Sequence, residues 1–308
     1  MEDSLVSILE NRPADCEILV VTQQAYDDPY ELKNEVRFVE APHESGWIDL
    51  VNVGVGLGRA PIVHLLPCGV RASEGWVDAP LEQFDDPQVA AVTPMVLDRL
   101  NPRRLLAAGA IFRAGNGRLI RMVDRIGPAR TAVIANVLPD PDCPVAFYRR
   151  AAIEQVGRFS DKVGPRFAGV DMALALAGAG FSSLLEPRCR MLGACEPGAN
   201  GAFLRGQMVE RLFWRWLPRK RRLMSVIGHF VLVVTELAQG FFRPAGIAHL
   251  AGRIAGGIQM TKAQNYVRGS EKLARQPKHV GPEAPHFRLK PAAPARARQD
   301  LNAVDQRT

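Results

Sequence analysis

The sequence predicts an α/β protein with a mainly parallel sheet, helices on both faces of that sheet and further helices at the C-terminal end. Short, continuous apolar runs such as Glu17 to Val21 are typical of central parallel strands, and they alternate with stretches of helical periodicity. The chain has 308 residues, of which 47% are apolar, and this is enough for one large domain and an appendage. The composition excludes a chain that is disordered throughout.

The net charge of +7 is unevenly distributed. Six basic residues and no acid lie between Arg211 and Arg222, whereas residues 1 to 100 hold more acids than bases. This clustering predicts an anionic partner for the C-terminal part only, and a membrane surface is favoured over nucleic acid.

Cysteine usage and the N-terminal segment indicate a cytoplasmic protein. The five cysteines are odd in number and lack a C-x-x-C pair, so neither a disulfide framework nor a zinc knuckle is indicated. The first residues carry acids and an interrupted apolar run, which is unlike a signal peptide.

The elements before residue 142 follow from apolar runs and turn residues. After Glu17 to Val21, the pattern predicts strands at Val36 to Val39, Ile62 to Leu66 and Val89 to Val92, helices in the stretch from residue 46 and from Glu74 to Phe84, and a hairpin of Gly109 to Arg113 with Arg118 to Met122 around a Gly-Asn-Gly turn. Residues 100 to 142 show no recognisable chemistry.

The stretch from residue 143 to 181 contains the residue most relevant to function. It predicts a strand at Val145 to Tyr148, a helix at Arg149 to Val156 and a second helix from Asp171 to Gly178. Asp171 opens that second helix, where the helix dipole favours an acid. We therefore interpret it first as an N-terminal cap and alternatively as a site residue.

Several segments resemble family 2 glycosyltransferases of the GT-A fold, which is Rossmann-like. They are Gly-Trp followed by Phe-x-x-Pro-x-Val-Ala-Ala-Val-x-Pro (residues 75 to 94), Phe-Tyr-Arg-Arg-Ala-Ala (147 to 152), Val-Gly-x-Phe (156 to 159), Val-Asp-Met-Ala-Leu (170 to 174) and Ala-Gly-Phe (179 to 181). The resemblance covers residues 5 to 192. It implies transfer of a sugar from a nucleotide-sugar donor to a glycan or lipid-linked acceptor, in cell-envelope or polysaccharide synthesis.

The resemblance also assigns candidate site residues. Asp171 matches the family's aspartate beside the acceptor, so it is the catalytic candidate. Asn52-Val53-Gly54, followed by Arg59-Ala60-Pro61, is similar to the family's N-x-G helix beside the donor nucleotide. Asn52 and Gly54 are therefore the candidates for donor binding.

The chain departs from the family at its chemical motifs. The D-x-D position reads Pro67-Cys68-Gly69, the acid pair falls on Ala168 and Gly169, and the family's first strand has no counterpart before residue 5. We expect no divalent cation at the D-x-D position, and Mn²⁺ or Mg²⁺ only if other carboxylates, such as Asp98 or Asp171, supply the ligands. The alternative function is a catalytically inactive GT-A-like domain that acts as a binding or scaffold partner.

Two further residues near the D-x-D position are expected to be structural. A single thiol without His or Cys neighbours is a poor metal site, so Cys68 is predicted to be buried. His64 lies on an apolar strand and is predicted to be a hydrogen-bonded core histidine rather than a ligand.

The C-terminal part favours a peripheral position at the inner membrane face. Leu223 to Gln239 is largely apolar but contains His229 and Glu236. The pattern fits a helix lying in the membrane interface, with Trp214 and Trp216 at the headgroups and basic residues beside it, although two helices packed on the domain are equally compatible. The predicted organisation is a GT-A-like domain (1–200), a helical, membrane-associated region (201–268) and a disordered basic tail (269–308).

Overall fold

The computed structural model describes residues 1–193, 201–240 and 243–259. The predicted tail from 269 to 308 lies outside the described residues. The helices are α1 (Glu2–Asn11), α2 (Trp47–Leu57), α3 (Asp78–Gln83), α4 (Arg150–Val156), α5 (Ala168–Gly178), α6 (Ala202–Arg215), α7 (Arg222–Gly240) and α8 (Pro244–Ile258). The strands are β1 (Ile18–Thr22), β2 (Val36–Glu40), β3 (Ile62–Leu65), β4 (Val70–Arg71), β5 (Val89–Asp98), β6 (Leu105–Ala107), β7 (Ala110–Arg113), β8 (Arg118–Arg121), β9 (Ile134–Ala135), β10 (Ala146–Arg149) and β11 (Ser182–Gly193).

A seven-stranded sheet forms the centre of the fold, in the order β3-β10-β5-β11-β4, with β6 added beside β5 and β9 beside β11. The two long strands, β5 and β11, pair in parallel. Since β10 pairs antiparallel with both β3 and β5, the strands β3, β5 and β11 all run in the same direction. The predicted α/β class with a mostly parallel central sheet is confirmed.

Helices cover both faces of this sheet, as predicted. Alternate side chains of one strand point to opposite faces. Ala146 and Tyr148 pack in a cluster with residues of α2, α4 and α5. Val145 and Phe147 instead pack on the other face of the sheet, with Trp76, which precedes α3, and with Phe84, which follows it.

The predicted central position of Glu17 to Val21 is wrong. β1 pairs only with β2, in a separate two-stranded parallel sheet that begins with Ile18 opposite Val36. This small sheet packs against α1 through Leu5, and most of the residues of β1 are only half-buried. The apolar run is therefore a covered strand of a small sheet, which periodicity alone does not distinguish from a central strand.

The three C-terminal helices are joined closely to one another and to the domain. α6 packs on the domain through Met208 and Leu212, which lie in a cluster with Val163 and Phe167. α8 approaches α6 so closely that a Cβ atom added to Gly252 would lie 1.8 Å from a backbone oxygen of α6. Among the described helices, α7 is the one whose length and composition would allow it to cross a membrane.

The cysteines differ from the expectation in two respects. Cys68 is exposed rather than buried. It lies in the turn between β3 and β4, next to Gly69, whose φ of 92° is one that glycine adopts without strain. Cys143 is disulfide-bonded, which neither the cysteine count nor the spacing indicated. Cys16, Cys68 and Cys189 are free thiols.

Candidate functional site

Asp171 is buried, with 2% of its surface exposed, and it binds the C-terminal end of α6. The Trp216 indole N–H donates a hydrogen bond to Asp171 Oδ1 at 2.8 Å. Nη2 of Arg215, whose side chain is also buried, lies 2.7 Å from Asp171 Oδ2. The acid selected from the sequence is thus fixed by two side chains that lie about 45 positions further along the chain.

The interpretation of Asp171 as an N-terminal cap is wrong. α5 begins at Ala168, its N-cap residue is Phe167, and no side-chain cap is present. The helix starts earlier than predicted because a 3₁₀ turn at Pro165–Phe167 leads directly into it. Asp171 is therefore the fourth residue of the helix, and its side chain projects towards α6.

The electrostatic environment of Asp171 suits a proton acceptor. Burial raises the pKa of its carboxyl to about 6, while Arg215, the hydrogen bond from Trp216 and the charge of Lys162 act in the opposite direction. A carboxylate that titrates near neutrality is a stronger base than an ordinary aspartate and is still ionised at neutral pH. Each of its oxygens also has lone-pair capacity beyond the one contact described.

Asn52 of α2 binds the backbone of Phe159, which lies in the loop after α4. Its amide nitrogen donates to the Phe159 carbonyl at 2.9 Å, and its amide oxygen accepts from the Phe159 N–H at 3.0 Å. The next residue, Ser160, accepts a hydrogen bond from Arg215 Nη1 at 3.3 Å. The structure therefore connects Asn52 to Asp171 through one loop and one arginine.

Gly54, the second donor-side candidate, lies against β1. A Cβ atom at this position would meet Val21 Cγ2 at 3.5 Å, which is ordinary van der Waals contact. The structure does not bring Gly54 into contact with the Asp171 environment through any described hydrogen bond. Its position beside β1 stays compatible with the predicted donor side.

Pro67-Cys68-Gly69 lies directly after β3, at the carboxyl end of that strand, where parallel sheets bind ligands. The N–H of Gly69 donates to Ser4 Oγ of α1 at 3.0 Å. Mn²⁺ and Mg²⁺ prefer hard oxygen ligands. One thiol and backbone groups do not fit such a cation, and no group of three or more His, Cys, Asp or Glu side chains that could hold a metal occurs among the described residues.

Asp98, an alternative ligand, is engaged in its own turn. Its Oδ1 accepts from the N–H groups of Leu100 at 2.9 Å and Asn101 at 3.4 Å, and its Oδ2 lies 3.4 Å from Arg104. These contacts are those of a local Asx turn, which stabilises the chain after β5. The contacts of Asp98 are therefore structural.

Two further acids with buried side chains, Asp140 and Asp142, were missed in the sequence. Arg121 Nε donates to both oxygens of Asp140, at 3.2 and 3.1 Å, and Arg121 Nη1 lies 3.3 Å from Asp142. Arg166, just before α5, also pairs with Asp142. Burial raises the pKa of Asp140 to about 6, against the charge of Arg121. The Asp-Pro-Asp sequence, three residues before β10, was the available local signal, although it does not indicate the arginine partners.

α6 reaches both acidic regions. Arg205, near its start, lies 3.9 Å from Asp142 Oδ2, and Arg215, at its end, pairs with Asp171. Ten helical residues separate the two arginines, a rise of about 15 Å. The start of α5 and the loop before β10 are thereby fixed against one helix.

The indole N–H groups of Trp214 and Trp216, which were predicted at the membrane headgroups, both bond within the protein. The Trp214 indole N–H donates to Glu210 at 2.7 Å, and that of Trp216 donates to Asp171. The Trp214 bond lies within α6 itself, whereas the Trp216 bond forms because α6 packs on the domain. The contact of Trp216 with Asp171 fits the alternative of helices packed on the domain, and a headgroup position stays a prediction.

The His64 ring packs between the rings of Trp76 and Phe147, but it is not fully hydrogen-bonded as expected. Its ring stacks on Phe147 with the centroids 3.9 Å apart, and its Nε2 atom has no hydrogen-bond partner among the described residues. Burial lowers the pKa of His64 to about 3, so the ring is neutral at physiological pH.

Comparisons with known proteins identify the fold but no family. No protein-family model matches the sequence, and no curated protein sequence is similar to it. The structure of S. aureus TarS (residues 1–349) is similar with 11% identity and a TM-score of 0.51, over 88% of this chain and 83% of that chain. At this identity the likeness shows the fold alone, which is GT-A-like.

Two other solved structures are similar with TM-scores just below 0.5. One is the mannosyltransferase PcManGT from Pyrobaculum calidifontis in complex with GDP-Man and Mn²⁺, with 14% identity and a TM-score of 0.49, over 89% of this chain and 84% of that chain. The other is GalNAc-T7 with UDP, GalNAc and Mn²⁺, with 11% identity and a TM-score of 0.48. That match covers 79% of this chain, which spans 54% of the GalNAc-T7 chain.

Proposed function

We propose that this chain is a family 2-like glycosyltransferase. It moves a sugar from a nucleotide-sugar donor to a hydroxyl of a glycan or lipid-linked acceptor, in the cytoplasm, for cell-envelope or polysaccharide synthesis. The GT-A-like fold supports a nucleotide-sugar donor. The observation that carries the proposal is the buried Asp171 carboxylate at the start of α5, with a pKa near 6 and an orientation fixed by Trp216.

The proposed chemistry is a proton transfer coupled to displacement at the anomeric carbon. Asp171 takes the proton of the acceptor hydroxyl as that oxygen forms its bond to the anomeric carbon. The bond from this carbon to the diphosphate breaks, and the diphosphate leaves with the electron pair. The Trp216 N–H holds the carboxylate in a fixed orientation, and Arg215 balances its negative charge.

The donor side is proposed to lie near α2. Asn52 fixes the loop that holds Ser160 against Arg215, so a change at the donor side would be transmitted to the base. A divalent cation, where the reaction uses one, would neutralise the diphosphate. The residues at Pro67-Cys68-Gly69 do not fit that role, and no step is assigned to a metal.

The second candidate function is a catalytically inactive domain that binds a partner. Its specific support is the D-x-D position, where no residue can supply a carboxylate. The engagement of Asp171 by Arg215 and Trp216 is consistent with a purely structural aspartate as well. Turnover experiments separate the two functions.

The test is release of nucleoside diphosphate from a panel of nucleotide sugars, with and without membrane extract as the acceptor. We compare the wild type with Asp171→Asn and with the control Asp161→Asn, an exposed carboxylate in the preceding loop. Removal of a general base is expected to lower kcat by about 10²–10⁴-fold, whereas the control stays near wild type. Circular dichroism confirms that each variant is folded.

Two outcomes would contradict the proposal. Full turnover by Asp171→Asn would remove this residue from the chemistry. A wild type without turnover on any donor, although folded, would favour the inactive binding domain.

A further inference from the structure

α7 is an amphipathic helix that directs Ser225 and His229 towards the protein and most of its large apolar side chains outwards. Ser225 and His229 are buried, and His229 binds Glu210 of α6 at 3.0 Å through Nε2. Leu223, Ile227, Phe230 and Val234 lie on the opposite face, spaced by three or four residues, and all are exposed. A surface helix of a soluble domain normally has the reverse arrangement.

α8 shows the same inversion. Arg253 faces inwards, where it is 4% exposed and donates to Glu210 at 2.9 Å and to Glu236 of α7 at 3.0 Å. Ile247, Ile254 and Ile258 lie on its outer side and are 55%, 61% and 79% exposed. The charged groups of this region are thus directed at one another, and the isoleucines are exposed to the surroundings.

The outward faces form the main exposed apolar surface of the described residues. Of the fifteen large apolar side chains exposed there, nine lie on α7 and α8. The outward Thr235 hydroxyl bonds the Val231 carbonyl of its own helix at 2.7 Å, so it requires no water. Concentrated exposure of this kind marks an interaction surface.

The charge at the start of α7 selects the occupant. Arg219, Lys220, Arg221 and Arg222 are all exposed and immediately precede Leu223. Between Leu223 and Gln239 the one acid, Glu236, is directed at Arg253. An apolar face bordered by four consecutive cations is complementary to a bilayer that carries anionic headgroups.

The inward contacts decide between lying on the bilayer and crossing it. Nineteen residues give α7 a length of about 28 Å, close to the thickness of a hydrocarbon core. However, His229 and Glu236 bind Glu210, Arg253 and His249 of the two neighbouring helices. Because α6 packs on the domain, this arrangement holds one side of α7 against protein and leaves only the other side for lipid.

We propose that the outward faces of α7 and α8 dock into one leaflet of an anionic membrane, with the cations at 219–222 among the headgroups. The chain is then a monotopic membrane protein whose α6 lies on the side away from lipid. This inference is independent of the proposed transferase activity, since it depends on the C-terminal helices and the cations before α7.

The test is flotation of the purified full-length chain with vesicles of phosphatidylcholine alone or with about 30% phosphatidylglycerol. The apolar variant combines Phe230→Asp with Ile254→Asp, and the charge variant combines Arg221→Glu with Arg222→Glu. The control is Leu100→Asp, which changes an even more exposed apolar residue after β5. These side chains are exposed, so the fold should persist, and thermal melts verify this.

The wild type is expected to float with the anionic vesicles and to be released by alkaline carbonate. The apolar variant should bind about tenfold less, and the charge variant should lose mainly the binding that high salt weakens. Leu100→Asp should bind like the wild type. Wild-type protein that does not float, or an apolar variant that floats normally, would overturn the proposal. If the wild type does not float but forms a dimer that the apolar variant disrupts, the surface belongs to a second copy of the chain. If the wild type floats and resists carbonate, α7 spans the membrane.

Discussion

The close approach of α6 and α8 predicts opposite effects of one substitution at two positions of the same helix. A Cβ atom at Gly252 would lie 1.8 Å from the Phe203 carbonyl oxygen, whereas a Cβ atom at Gly257 would meet its nearest neighbour, the Trp214 indole nitrogen, at 3.8 Å. Both positions are helical, so Gly→Ala should gain the same intrinsic helix propensity, about 1 kcal/mol. The difference between the two variants therefore reports the contact alone.

The magnitude follows from which atoms must move. At Gly252 the obstructing atom is backbone, which cannot rotate away as a side chain can, so α8 has to move off α6 by more than 1 Å to reach an ordinary contact of about 3.4 Å or more. Overpacking of this kind costs about 1–3 kcal/mol, and separation also weakens the bond between Arg253 and Glu210. We expect Gly252→Ala to lower the free energy of unfolding by about 1–2 kcal/mol or more and Gly257→Ala to raise it by up to about 1 kcal/mol.

Urea denaturation followed by circular dichroism measures both variants, with the slope of the transition checked for constancy. Gly206→Ala on α6 provides a second test, because its Cβ would lie 2.0 Å from the His249 carbonyl oxygen. A single separation of the helices relieves both contacts, so Gly206→Ala combined with Gly252→Ala should cost less than the sum of the two. Equal stabilities for Gly252→Ala and Gly257→Ala would refute the close packing and the α6–α8 arrangement with it.

Three further outcomes are expected. The pKa of His64 is lowered to about 3, so below pH 6.5 the unfolded chain binds a proton at His64 that the folded chain does not. The free energy of unfolding should therefore fall by about 2 kcal/mol between pH 7 and pH 5. The urea midpoint of His64→Phe should not show this loss. If Asp171 is the base, kcat/KM should fall as the pH decreases through about 6, and a rate that stays constant to pH 5 would exclude that role. Calorimetric titration of Mn²⁺ with and without UDP should show no tight site that depends on Pro67-Cys68-Gly69, and a site lost in Cys68→Ser would contradict this.

The elements that the sequence predicted well are those fixed by local physics. The hairpin β7–β8 follows from a Gly-Asn-Gly turn between two short strands, and Gly157 ends α4 with a φ of 94°, as glycine at that position indicates. The strand Ile62–Leu65 and the helix before it were likewise found within a few residues of their bounds. Each of these features depends on residues that lie close together along the chain, at most 11 positions apart in the hairpin.

The errors arise where distant partners decide the outcome. β1 has the composition of a central strand, but its position depends on its pairing with β2 alone. The contacts of Asp171 with the end of α6 override the cap interpretation, and those contacts cannot be derived from the spacing around residue 171. Asp140 and Asp142 were missed because their importance depends on Arg121 and Arg166, which form no pattern with them along the chain.

α6 connects the two parts of the molecule for which we make functional proposals. Its Glu210 binds His229 of α7 and Arg253 of α8, and its last residue, Arg215, binds Asp171. Glu210 is buried, yet these two partners hold its pKa below the ordinary value, so the carboxylate is charged and the contacts are strong. The position of α6 is therefore set from one side by the helices proposed to contact lipid and from the other by the proposed base. A helix fixed in this way holds Trp216 against Asp171 irrespective of which of the two proposed functions is correct.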